Sequence, residues 1–82
     1  MEISISKNAF RNMDKLSLSS FDIERIIDSY SEGFEYLQEQ NGGEPMCHNV
    51  YSREDNATVF VNIDGNRVVV KKVRHGNRIA DE

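Results

Sequence analysis

The 82-residue chain carries ten Lys and Arg against fourteen Asp and Glu, a net charge of −4, and 38% apolar residues with no Trp. That is one domain's worth of chain and too little to enclose a large buried cleft, so function belongs on a surface or in a shallow groove. The single Cys47 excludes an internal disulfide, and no apolar run approaches the roughly 20 residues of a membrane span. The expectation is a reducing, cytoplasmic setting with no membrane partner.

Charge is unevenly placed. Residues 1–50 hold four basic and nine acidic side chains, whereas residues 51–82 hold six and five. Within the second part, Arg67, Lys71, Lys72, Arg74 and Arg78 follow one another without an intervening acid. An acidic helical part therefore precedes a basic terminal strand.

Met1 to Ser6 alternates Ile3, Ser4, Ile5, Ser6, which suits a short strand or a lead-in segment. Ala9, Phe10, Met13 and Leu16 then recur at helical spacing and predict a short amphipathic helix with those four side chains inward. Ser19 or Ser20 supplies an N-cap oxygen for a second helix, with Asp22 and Glu24 at its positive end. Ile23, Ile27, Tyr30, Phe34 and Leu37 form one apolar stripe behind the cap, predicting a helix over 20–32 that extends toward 39 if Gly33 is tolerated.

Asn41-Gly42-Gly43-Glu44-Pro45 stops the helix, and the period then changes to two. Met46 to Arg53, Ala57 to Ile63 and Arg67 to Val73 read as three strands, the last two joined by a hairpin at Asp64-Gly65. Pairing about that turn sets Val61 opposite Val68 and Val59 opposite Val70, an aliphatic face to receive the helices. Phe60 opposite Val69, Asn62 opposite Arg67 and Thr58 opposite Lys71 make the other face mixed. The expected fold is α+β, two N-terminal helices packed on a three- to four-stranded antiparallel meander, with one domain over 1–75 and a loose, flexible tail over 76–82.

Candidate chemistry is sparse. The metal-ligating stock beyond carboxylates is Cys47, His48 and His75, and adjacent strand residues point to opposite faces, so neither a metal nor any other cofactor is expected. Gly42-Gly43 lacks the Lys-Ser or Lys-Thr of a phosphate loop. A lone Cys on a half-buried strand reads as core filler rather than a nucleophile. His48, Tyr51, Arg74 and His75, with Arg53 and Lys71 nearby, are the residue types a metal-free ribonuclease needs for base, acid and phosphorane stabilisation. His48 and Tyr51 have opposite strand parity, however, and share a face only if a bulge intervenes.

The segments Asn8-Ala9-Phe10-Arg11-Asn12-Met13 and Ser19-Ser20-Phe21-Asp22-Ile23, followed by the valine-rich Val59–Val73 hairpin, resemble the RelE/ParE-like toxin class, especially its small phage and bacterial members. The resemblance covers residues 3–74 and implies an α+β fold and a metal-independent endoribonuclease acting on RNA, or a degenerate relative. Asn8 stands where those relatives tend to have His.

The absence of a convergent catalytic set makes a non-catalytic protein-binding module the preferred expectation, of the kind phages and mobile elements use to inhibit or modulate a host complex. Its partner-binding residues would be the acids Asp22, Asp28, Glu32, Glu35 and Glu39 on the helix, steering toward a basic groove. Phe60, Arg67 and Lys71 on the mixed sheet face form a second candidate surface. The N-terminal segment covers that face, or it serves self-association as a homodimer, or its isolated apolar residues are simply exposed.

Overall fold

The computed structural model describes residues 1–80. The elements run β1 (Glu2–Ile5), α1 (Lys7–Leu16), α2 (Ser20–Asp28), α3 (Ser31–Gln40), β2 (Met46–Ser52), β3 (Ala57–Asp64) and β4 (Arg67–His75). The fold is α+β, as its sequence pattern indicates, but the sheet is mixed. Its order is β1-β4-β3-β2, with β1 parallel to β4 and the other two pairs antiparallel. The helices are three rather than two, and they lie between β1 and β2 rather than at the N-terminus.

The parallel pair explains the early Ile-Ser alternation. Ile3 and Ile5 sit opposite Val68 and Val70 and pack against the core, so β1 extends the sheet along its edge and is not what covers the outer face. The strand ends at Ser6, whose hydroxyl accepts the Ala9 N–H at 3.1 Å as the cap of α1 and donates to the Lys71 carbonyl at 3.0 Å. Beyond that point α1 takes over the edge. Asn8 Nδ2 donates to the Lys71 carbonyl at 3.4 Å, and Asn12 Oδ1 accepts the Val73 N–H at 3.0 Å. Helix side chains thereby satisfy strand backbone that would otherwise face solvent or invite another chain.

Ala9 and Met13 of α1 are buried, but Phe10 is 46% exposed, contrary to its expected inward position. Phe10 stands about 100° round the helix from Ala9, whereas Ala9, Met13 and Leu16 lie on one narrow face and hold the contact. The cap of α1 at its far end is Ser17 in the left-handed region, φ +57.

The stripe from Ile23 to Leu37 belongs to two helices, not one. A capping box opens α2: Ser19 Oγ accepts the Asp22 N–H, and Asp22 Oδ2 accepts the Ser19 N–H at 2.9 Å. The break comes at Ser29–Tyr30 rather than Gly33, which sits inside α3. The Ser29 hydroxyl donates to the Ile26 carbonyl at 2.6 Å, competing with the helical ladder, and the Tyr30 hydroxyl donates to the Tyr51 carbonyl at 3.0 Å. Tyr30 is thus drawn toward β2 and half-exposed, while Ile23, Ile26, Ile27 and Phe34 remain in the core.

The hairpin closes on Gly65-Asn66, with Asp64 opposite Arg67, one step from the expected Asp64-Gly65. Only Gly65 has positive φ, +59, the pattern of a type II′ turn. The face assignment survives: Val59, Val61, Ile63, Val68 and Val70 all enter the core. The partners do not: the moved turn resets those up to Val61, and beyond it a bulge interrupts the ladder. Val61 pairs with Val70 but Phe60 pairs with Lys72, leaving Lys71 unmatched. Without this extra residue Lys72 would point into the aliphatic core and Val73 out of it. The bulge reverses both, setting Val73 opposite Val59 and placing Arg74, not Lys71, opposite Thr58.

The stretch after β4, expected as a loose tail, is tied to the sheet as far as it is described. Gly76 N–H donates to the Asn56 carbonyl at 2.7 Å, Thr58 Oγ1 donates to the Gly76 carbonyl at 2.7 Å, and the Arg78 N–H donates to Thr58 Oγ1 at 2.8 Å. Asp81 and Glu82 lie outside the described residues.

Candidate functional site

Two surfaces of opposite charge lie on the two sides of this arrangement. On the helical side, Phe34 and Gln38 turn α3 inward, so Tyr36, some 200° around the helix from Phe34, faces outward and is 62% exposed. Glu32 and Glu39, four before and three after, are its neighbours on that face, with Glu35 adjoining. Asp28 ends α2 beside them. Asp28, Glu32, Glu35 and Glu39 are exposed, and none has an ion-pair partner among the described residues. Residues 26–52 contain no Lys or Arg that could neutralise them locally.

Asp22 does not join this set. Its carboxylate is held by the Ser19 backbone and side chain, with Arg25 adding a 3.6 Å ion pair, and these hold its pKa below the ordinary carboxylate value. Arg25 in turn donates to both Asp55 oxygens, at 3.1 and 3.0 Å, and lies 3.5 Å from Glu54. Asp55 also accepts from Ser52 Oγ. This cluster locks α2 to the β2–β3 turn, and its charges are spent internally.

The outer sheet face is a groove of about 680 Å³. Phe60 forms its floor and is only 6% exposed, which corrects its expected role as an exposed anchor. The Lys72 ammonium lies 4.5 Å from the ring centroid, and Ile79 and Asn49 also line the groove. Arg67 sits opposite Asp64 at the turn end. Cys47 is exposed here rather than filling the core. Its Sγ donates to Asn62 Oδ1 at 2.8 Å and accepts from Lys71 Nζ at 3.6 Å.

The residues of the ribonuclease reading do not converge. His48 lies opposite Val61 on the helix-facing side, edge-on to Phe34 with centroids 6.2 Å apart, and burial pushes its pKa below that of a free imidazole. Tyr51 and Arg74 flank Thr58 on the outer side, where Tyr51 donates to Asn56 Oδ1 at 3.0 Å. His75 pairs with Ala57, which again has the inner parity. The bulge falls in β4, so it does nothing to bring His48 and Tyr51 together in β2.

Sequence reasoning passed over Tyr36, although its place off the Phe34–Leu37 stripe marks it as outward. It also passed over Phe21, exposed to 74% in the first turn of α2, and Arg25 as a structural hub. Two of the Arg25 partners, Glu54 and Asp55, come from a turn 29 or more residues away and leave no local signal.

Comparisons with protein-family models, curated proteins and solved structures returned no match. No helix among the described residues is long and apolar enough to cross a membrane.

Proposed function

We propose that this chain is a non-catalytic protein-binding module that docks through the acidic outer side of α2 and α3 onto a basic surface of another protein, as an inhibitor or modulator of a complex would. The observation that supports it is the exposed Tyr36 beside Glu32, Glu35 and Glu39, acids without an ion-pair partner among the described residues in a segment, 26–52, that holds no Lys or Arg. Aromatic side chains are enriched among binding anchors because they bury large area at small entropic cost, and a field of one sign speeds encounter with a basic groove. The preferred partner is therefore a protein whose basic groove ordinarily holds a polyanion. The ribonuclease alternative has the cations of the outer face in its favour, but its base and acid stand on opposite faces of β2.

A photo-crosslinking phenylalanine analogue at position 36 tests the module. The expected result is one discrete protein adduct in the native host extract, lost with Glu32→Lys/Glu39→Lys and weakened by salt. Adducts that are absent, or that survive the charge reversals, would count against it. RNA cleavage by the purified chain that disappears in Arg74→Ala would replace this reading with the nuclease one.

A further inference from the structure

Six of the chain's ten cations gather where α1 meets β4. On α1, Lys7, Arg11 and Lys15 recur at steps of four and are exposed. At about 100° per residue, Ala9, Met13 and Leu16 face the core, and Asn8 and Asn12 lie about 90° round from them, where they bond the β4 backbone. The three cations stand about 80° further in the same sense, past the strand edge and on the flank that adjoins the outer sheet face. The one acid of α1, Asp14, leans to the other flank with Phe10.

The bulge in β4 supplies the second row. It turns Lys71 and Lys72 together into the outer groove, and Arg74 follows on the same face opposite Thr58. None of the six cations has an ion-pair partner among the described residues, and no described carboxylate lines the groove. The net charge of −4 does not erase this patch. The unpaired acids belong to the outward side of α2 and α3, the molecule is 20 Å across even its shortest axis, and charges are screened over about 8 Å at physiological salt.

The same surface discriminates among polyanions. Protein interfaces are anchored by desolvated aromatic side chains and are poor in Lys, whereas here Phe60 is buried beneath the Lys72 ammonium. Ile79 is the one exposed large apolar side chain that lines the groove. Single strands are held by bases stacked on open aromatic faces, which the burial of Phe60 denies them. Proteins that prefer RNA duplexes read the 2′-hydroxyl, but the amides of Asn8 and Asn12 are already bonded to β4. What the surface offers is positive charge on long stems, the chemistry that positions a protein on the phosphates of duplex DNA.

We propose that α1 and β4 form a second interaction surface, one that binds the phosphate backbone of double-stranded DNA through these six cations without reading base edges. It goes beyond the module reading and uses a different side of the molecule, so both surfaces can be occupied together.

Fluorescence anisotropy of the full chain on a short labelled DNA duplex, across a salt titration, tests it. The logarithm of the binding constant should fall with the logarithm of salt at a slope of about −5, near −0.9 for each of the six contacts. Lys71→Gln should reduce that slope by about one, and the triple variant Lys7→Gln/Arg11→Gln/Lys15→Gln by about three, equally on two unrelated sequences. These side chains are exposed and outside the core, so the fold is retained. No binding of the duplex, or a slope that neither variant changes, would overturn the proposal. So would binding as tight or tighter to a single strand, an RNA duplex or poly-aspartate of the same length, the last of which would make the surface one for an acidic protein. The crosslink from position 36 reads the acidic side alone, so the failure of either surface leaves the other standing.

Discussion

The side-chain amide of Gln38 reaches from α3 to Gly65 in the β3–β4 turn, accepting its N–H at 2.8 Å, and donates from Nε2 to the Glu44 carbonyl at 2.8 Å. One buried polar side chain thus joins a helix, the loop that follows it and a hairpin turn. Gln38→Leu should cost about 1 kcal/mol, the lower part of the range for a lost hydrogen bond, because water can reach the exposed turn once the amide is gone. Hydrogen exchange at Gly65 should accelerate at the same time, and unchanged exchange there would show that the contact does not hold the turn.

Ile27 sits fully buried where α2 meets the sheet. Ile27→Ala should destabilise by about 2–5 kcal/mol through lost burial and the cavity left behind. Urea unfolding with an unchanged slope measures this, and a loss within experimental error would mean the stripe does not carry the core.

Gly33 offers the opposite effect. It is exposed within α3, and a Cβ there would meet nothing within 4 Å. Gly33→Ala should therefore stabilise the protein by roughly 0.5–1 kcal/mol, chiefly by restricting the unfolded chain. A thermal midpoint equal to or below that of the parent would contradict it.

Asp22 confers a defined pH dependence. Its hydrogen bonds from Ser19 lower its pKa in the folded chain, so the unfolded state binds the proton more readily. The resulting stabilisation is complete above the unfolded carboxylate value of about 3.9 and is lost as pH falls from there through the lower folded value. Stability should fall more steeply with acid in the parent than in Asp22→Asn. Identical urea midpoints for the two proteins across that window would show that the capping box contributes nothing.

Much of the secondary structure is legible along the chain because its causes are local. The Ser19 cap, the Ile23–Ile27 repeat, the stop at Gly42-Gly43 and the valine alternation each act within a turn or two of backbone. The same is true of the acids Asp28, Glu32, Glu35 and Glu39, whose segment contains no counter-charge at all.

Tertiary contacts decided the rest. Ile3 and Ile5 alternate as a strand would, but only the free edge of β4 makes them its parallel partner. The double lysine followed by Val73 acquires its bulge because one aliphatic layer must exclude Lys72 and admit Val73. Tyr30 leaves its stripe because the Tyr51 carbonyl, 21 residues away, accepts its hydroxyl proton. Periodicity reports which face of one element is apolar; which element meets that face depends on the backbone donors and acceptors left unpaired when the layers close.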